Sequence, residues 1–239
     1  MKNSVELLGY YGSDITIACS AWTSTSRDLT DEKKKRVPAL INKLWSEGHE
    51  TPFEKGDVHF LVNTDIASHI HMLKHRHSSM NAESARYKEL KEDKIYTPED
   101  WSDIKVERTE GLGLQFSTYW EPPEGRHRDP TWMDVLKFYT EEQNRMYHQC
   151  LEDLTPTLGR KRAKESARFF KTYNSQIQGD IKFNMRSFAN FIKLRRSKHS
   201  QLEIREIADK MLNLVYAIED EPFKYTLEAW EESGVVNDE

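Results

Sequence analysis

What most constrains the fold of this chain is a pattern that occurs twice, in which a short apolar run of strand length passes almost directly into a segment of helical period. Val58 to Val62, VHFLV, has the length and apolar content of a strand. Thr64 or Asp65 then caps a helix in which Ile66, Ile70 and Leu73 share the inward face and His69, Met72 and Arg76 the opposite one. Ile177 to Phe183 reads as the second strand. The helix after it, Ser187 to Arg195, turns Phe188, Phe191 and Ile192 inward and sets Arg186 and Asn190 one turn apart on another face. Trp132 to Leu151 reads as a long amphipathic helix with Trp132, Val135, Tyr139, Met146 and Cys150 near one stripe. Ser200 to Glu203, SQLE, has the form of a capping box opening a helix packed through Ile204, Ile207, Ala208, Met211 and Val215. Helical and extended segments alternate without regular βαβ spacing, which predicts an α+β domain with helices around a small sheet. One domain over residues 1–239 is expected, with the proline-rich stretch Glu121 to Pro130, EPPEGRHRDP, as a loop between its two halves.

Charge narrows the choice of partner. The 35 basic and 40 acidic residues leave a net charge of -5, so no global field draws the chain onto nucleic acid or an anionic membrane. An anion site must therefore be local, and Lys74 to His77, Arg160 to Lys164 and Lys193 to His199 are the clusters that offer one. No run of ~20 apolar residues is present, so a membrane helix is not expected. Cys19 and Cys150 are the only cysteines, and MKNSVELLGYY lacks the form of a secretory signal, which together point to a reducing cytoplasm. Cys19, in IACSAW, reads as a small buried core residue.

Three segments concentrate chemistry. From His71 to Tyr87 a helix end delivers Lys74, His75 and Arg76 into a polar stretch with Ser78, Ser79, Asn81, Glu83, Ser84 and Arg86. Cations beside hydroxyls and amides suit phosphate and the edge of a base, although a basic helix C-terminus followed by a polar loop has the same composition. From Asn184 to Arg205, NMRSFANFIKLRRSKHSQLEIR sets Asn184, Arg186, Asn190, Arg195, His199 and Gln201 among apolar anchors. Arg195 falls in phase with Phe188, Phe191 and Ile192, so it should be partly buried and need an anionic partner, either a ligand or a structural carboxylate. In Gly48 to Glu54, GHETPFE, Gly48 stops a helix and Pro52 enforces a turn that leaves His49, Thr51 and Glu54 available.

Taken in chain order the three segments resemble the flavin-dependent thymidylate synthases, the ThyX family. That family's R-H-R-x7-S signature is matched by Lys74-His75-Arg76, seven residues, then Ser84, continuing into Arg86-Tyr87. GHETPFE resembles its H-x-x-P-F-E segment, and NMRSFANFIKLR with HSQLEIR its downstream segment. Lys74 stands where the family has arginine, so a two-point contact becomes a single one. Glu83 stands one place after the family's acid, where Ala82 is found. The resemblance implies a small, mostly antiparallel sheet surrounded by helices, a ThyX-like homotetramer with active sites between subunits, and FAD in an interface cleft. It implies conversion of dUMP to dTMP with 5,10-methylenetetrahydrofolate as carbon donor and NADPH as reductant of FAD, in the cytoplasm, or the host cytoplasm for a virus-encoded chain. Arg195 matches the arginine that activates the pyrimidine. His71, Lys74, Glu83, Ser84, Ala85, Arg86, Arg168 and Arg195 match dUMP positions, with Ser84 positioning rather than attacking. Ser24, His49, Thr51, Glu54, Lys74, His75, Arg76, His77, Asn184, Arg186, Asn190 and His199 match positions near FAD or folate. No cysteine nucleophile, metal, nucleic acid or membrane partner is implied. The alternatives are a family member that binds nucleotide without turnover, and a metal hydrolase on His69, His71, His75 and His77, in which Met72 stands where H-E-x-x-H needs its Glu. A non-catalytic RNA-binding module would need an aromatic RNP-type strand that the sequence lacks.

Overall fold

The computed structural model describes residues 1–236 other than 27, 91, 109, 114, 115, 117–119 and 123–127. Residues 123–127 of the loop expected at 121–130 therefore lie outside the described residues. They gather into two compact units, a larger one of Asn3–Asn63, Ser68–Ala82 and Gln178–Glu239, and a smaller one of Met1–Lys2, Thr64–Ala67 and Glu83–Ile177.

The larger unit is built on a four-stranded sheet in the order β1-β2-β4-β3, formed by β1 (Ser4–Tyr11), β2 (Asp57–Asp65), β3 (Ser78–Ala82) and β4 (Gln176–Asn184). β1 and β2 are antiparallel from Ser4↔Asn63 to Tyr11↔Asp57, with an irregularity between Leu7 and Gly9. β3 and β4 are antiparallel from Ser78↔Phe183 to Ala82↔Gly179. The ion pair Asp57 to Lys182 and the hydrogen bond between His59 and Asp180 run in opposite sequence directions, so β2 and β4 are antiparallel too. This bears out the α+β expectation.

Strict alternation fixes which face of the sheet is buried. Val58, Phe60 and Val62 of β2 and Ile181 and Phe183 of β4 join one core with Ile17 and Ala18 of α1 (Asp14–Trp22) and Val37 and Ile41 of α3 (Val37–Ser46). The same core takes in α6 (Met185–Arg195), α7 (Leu202–Tyr216) and α8 (Lys224–Glu232). A short helix, α2 (Asp31–Lys35), has no buried residue. At the junction of β1 and α1, Gly12 has φ +81, and a Cβ there would stand 2.6 Å from the Lys55 carbonyl oxygen, so only glycine is accommodated. The N-terminus of α8 has no cap of its own. The Asp14 carboxylate caps it from α1, accepting from Tyr225 N at 2.7 Å, Thr226 N at 3.1 Å and Thr226 Oγ1 at 2.6 Å.

Three local expectations are corrected. In α4 (Ile66–Leu73) the buried residues are Ser68, His69 and Met72, while Ile70 and Leu73 are 37% and 54% exposed. IASHIHML carries apolar residues on more than one face, so in a helix of two turns the sequence period does not set the phase. The capping box at Ser200 does not form. Ser200 Oγ donates to Leu194 O at 2.7 Å, closing the end of α6, and α7 begins at Leu202 behind Gln201, with Ile204, Ile207, Ala208, Met211 and Val215 buried as expected. In the smaller unit the long helix, α5 (Trp132–Ala167), continues past Leu151 to a break at Gly159 (φ 75, ψ 150) and beyond it. Its inward residues include Thr140, Asn144, Tyr147 and Leu151, whereas Trp132 and Met146 are 43% and 41% exposed. Buried polar groups shift the stripe because they are satisfied: Thr140 Oγ1 donates to Leu136 O at 2.7 Å, and Asn144 Oδ1 accepts from Lys171 Nζ at 2.7 Å. Thr131 and Asp134 form the capping box that opens α5. Among the described residues no helix is long and apolar enough to cross a membrane.

Candidate functional site

In the larger unit, β4 ends on Asn184, whose side-chain oxygen accepts from Ser187 N at 2.8 Å and so starts α6. With Phe188, Phe191 and Ile192 fully buried, the helical period sends Arg186, Asn190 and Leu194 to another side. There they line a cleft of about 830 Å³. Opposite stand Glu50 and Glu54, on and beside the 3-10 turn Thr51–Lys55, which buried Phe53 anchors edge-on against Trp45 at 5.1 Å. Lys74, His75, Arg76 and His77, which follow the C-terminus of α4, complete the lining with Asn184, Ser187 and Arg195.

The arginines in this cleft are held differently. Arg186 donates through Nε to Glu50 at 2.9 Å and through Nη1 to Glu54 at 2.8 Å. Arg195 donates through Nε to His75 Nε2 at 2.9 Å and through Nη2 to the His71 carbonyl at 3.3 Å. Sequence reasoning left open a structural carboxylate for Arg195. Among the described residues none is paired with it, nor with Lys74 or Arg76. Burial lowers the Arg195 guanidinium from its usual range. Burial, and then the charge of Arg195, push the His75 imidazole down to about 4, so it is neutral at pH 7 and carries its proton on Nδ1. Such an arrangement can bind a phosphate-bearing ligand at Lys74, Arg76 and Arg195 while Asn184 and Asn190 offer donors and acceptors to a ring edge.

Of the residues singled out from sequence, the cleft brings together Glu54, Lys74, His75, Arg76, His77, Asn184, Arg186, Asn190 and Arg195. His71 takes part through its carbonyl alone. Ser24, His49, Thr51 and His199 are exposed and do not line it. Ser24 Oγ donates to Ala21 O at 3.2 Å, His49 lies 3.6 Å from Glu47, and His199 N donates to Ser197 Oγ at 3.3 Å. Sequence reasoning missed Glu50, Ser187 and Leu194. The 186, 190, 194 spacing would have found Leu194, but nothing local marks Glu50.

Glu83, Ser84, Ala85, Arg86 and Arg168 belong to the smaller unit. Arg86 is paired with Glu165 and lies 5.5 Å over the Tyr87 ring, while Ser84 Oγ accepts from Arg86 N at 3.3 Å. Glu83 receives the Lys88 ammonium, half-buried Ala85 separates Ser84 from Arg86, and Arg168 is exposed in a 3-10 turn after α5. This segment is tied to α5 by Arg160 to Glu89, by Lys164 Nζ to Tyr87 O at 2.6 Å and by Leu90 N to Tyr147 Oη at 3.1 Å. Asp93 receives Lys171 Nζ at 2.7 Å and faces His148 Nε2 at 2.8 Å.

Cys19, expected in the core, is half-buried on α1, as Cys150 is on α5, and neither lines the cleft. Core space at that turn of α1 is taken by Ile17 and Ala18. Among the described residues no three His, Cys, Asp or Glu side chains converge as a metal site, and His69 is buried with Nδ1 unpartnered.

A model of the family described as thymidylate synthase complementing protein matches residues 6–219. The chain is 30% identical to a flavin-dependent thymidylate synthase of Pseudothermotoga lettingae over 209 residues, which is 87% of this chain and 82% of that one. It is 27% identical to one of Anaplasma marginale over 216 residues, covering 90% of this chain and 68% of the other. Among solved structures it is similar to the UMP/dUMP methylase PolB of Streptomyces cacaoi bound with 5-Br dUMP, with a TM-score of 0.70 at 25% identity over 98% of this chain and 97% of that one. The structure of PolB with 5-Br UMP, with a TM-score of 0.70 at 22% identity, shows the same fold.

Proposed function

This chain belongs to the thymidylate synthase complementing protein family, ThyX, and from that premise we propose that it is a flavin-dependent pyrimidine-nucleotide methylase that converts dUMP to dTMP. One observation carries the proposal to the site: a cleft in which Arg195, held by uncharged acceptors, stands with Lys74 and Arg76, none of them paired with a carboxylate among the described residues.

The cleft fits FAD on its own chemistry. Its volume of about 830 Å³ lies within the range of roughly 300–1,000 Å³ usual for cofactor sites. Lys74 and Arg76 offer cations to a pyrophosphate, and Glu54, His75, His77, Asn184, Arg186 and Asn190 supply polar edges for the rings. Flavin contacts for Ser24, His49, Thr51 and His199 rest on the resemblance alone. So do the dUMP contacts of Glu83, Ser84, Ala85, Arg86 and Arg168, and of His71, Lys74 and Arg195. The homotetramer and the cytoplasmic setting are part of the same proposal.

Bound FAD, reduced by NADPH, supplies hydride, and 5,10-methylenetetrahydrofolate supplies the carbon. The chain's residues bind and stabilise. Arg195 faces the negative charge that develops on the pyrimidine, and a donor of this kind typically contributes about 10²–10³ in kcat. Ser84 orients the nucleotide, Lys74 gives its phosphate a single-point contact, and Glu50 and Glu54 fix Arg186 as part of the cleft wall.

The test is direct. The purified protein should show a flavin absorption spectrum, or acquire one with FAD, and should form dTMP from dUMP, NADPH and methylenetetrahydrofolate, with UMP run in parallel as a competing acceptor. Protein that takes up no flavin and shows no turnover after FAD addition would sink the proposal.

A further inference from the structure

Three arginines assigned to this chemistry differ in what neutralises them. Arg186 is held by two carboxylates and Arg86 by one, Glu165. Arg195 donates instead to His75 Nε2 at 2.9 Å and to the His71 main-chain oxygen at 3.3 Å. A guanidinium has five N–H donors, so three remain for a ligand. We propose that His75 is a positioning residue for Arg195: its Nε2 lone pair fixes the guanidinium plane while leaving the charge uncancelled for an anionic group in the cleft.

Two further observations support this role, which rests on the proposed function. The His75 ring stands edge-on to Phe191 at 4.9 Å, and Phe191 is fully buried one helical turn before Arg195. The turn of α6 that carries the arginine therefore also locks its acceptor. The second acceptor, His71 O, lies in the last turn of α4, where it also accepts from Lys74 N at 3.3 Å and where the helix dipole favours a cation. A carboxylate in the place of His75 would hold Arg195 as firmly but would cancel the charge that a developing anion needs. The neutral state of His75, set by burial and by Arg195 itself, agrees with an acceptor role.

The test compares His75→Gln, His75→Leu and His75→Glu in the full chain. Phenylglyoxal modification of Arg195, followed by peptide mass mapping, reports the hold on the guanidinium without needing turnover. Flavin absorbance reports FAD occupancy, and kcat and KM for dUMP complete the set. Modification of Arg195 should be slow in the wild type and in the Gln and Glu variants, and at least severalfold faster in His75→Leu. Turnover should separate from that pattern: the Leu and Glu variants should lose about 10-fold or more in kcat at matched FAD occupancy, and Gln should recover most of the loss. Equal modification rates in all four proteins would overturn the positioning role. So would lowered FAD occupancy with unchanged kcat in the flavin-loaded fraction, which would make His75 a flavin contact only. A wild type that makes no dTMP would refute the proposed function, and the modification rates would still decide whether His75 holds Arg195.

Discussion

The Arg195 guanidinium meets an imidazole nitrogen and a carbonyl oxygen, and both accept hydrogen bonds without adding formal negative charge. Arg195→Lys should therefore cost turnover rather than cofactor. An ammonium keeps the charge but has no planar fork for His75 and the His71 carbonyl to orient. We expect kcat to fall by about 10²-fold with flavin absorbance unchanged. Loss of flavin with unaltered turnover in the reconstituted remainder would refute the assignment. Lys74 invites the opposite experiment. Lys74→Arg restores a two-point donor, so KM for dUMP should drop severalfold with little change in kcat; an unchanged KM would separate Lys74 from the dUMP phosphate. The part of the site carried by α6 was legible because its apolar stripe is unambiguous: once Phe188, Phe191 and Ile192 point inward, Arg186 and Asn190 must point elsewhere. Glu50 was not legible, because its role comes from Arg186, distant in sequence and brought near only by the fold.

At the scale of elements, the capping of α8 by Asp14 carries a pH dependence. Burial pushes this carboxyl up from 3.8 to about 6, outweighing the hydrogen bonds from Thr226 and Tyr225 that act to lower it. A carboxyl with a raised pKa binds its proton more tightly in the folded state, so the stabilisation linked to that proton is fully present below about pH 3.8 and is lost as pH rises to about 6, leaving the hydrogen bonds that the carboxylate accepts. The span corresponds to roughly 3 kcal/mol. In denaturant unfolding, the stability of the wild type relative to Asp14→Asn should fall across that window and level off above it. A difference that stays flat from pH 4 to pH 7 would contradict the mechanism. Asp14→Ala, which strips two amides and a hydroxyl of their acceptor, should cost about 2–4 kcal/mol near neutral pH. No local signal announces such a contact, since the cap and its helix lie at opposite ends of the chain. Where local signals are strong they sufficed: the length and apolar content of Val58 to Val62 gave β2, and the Phe188 stripe gave α6. They failed where a competing bond won, as when Ser200 turned back to Leu194 O instead of capping α7, and where polar residues such as Asn144 are buried with partners.

For the molecule as a whole, the net charge of -5 conceals a local inversion. Among the described residues the cleft is lined by Lys74, Arg76, Arg186 and Arg195 against only Glu50 and Glu54. A ligand bearing a pyrophosphate should therefore bind through a field that salt screens, because Lys74, Arg76 and Arg186 are exposed while Arg195 is half-buried. FAD added at about 100 times its Kd should stabilise the protein by about 2.7 kcal/mol through mass action. The gain should appear as slowed amide exchange within the larger unit, in Lys74–His77 and along α6. It should shrink as ionic strength rises from about 0.01 M to about 1 M, over which the Debye length falls from about 30 Å to about 3 Å. Hydrogen exchange at the two salt concentrations, with and without FAD, measures both effects. Protection confined to the smaller unit would place the flavin away from this cleft, and protection indifferent to salt would mean that Lys74 and Arg76 do not hold its phosphates.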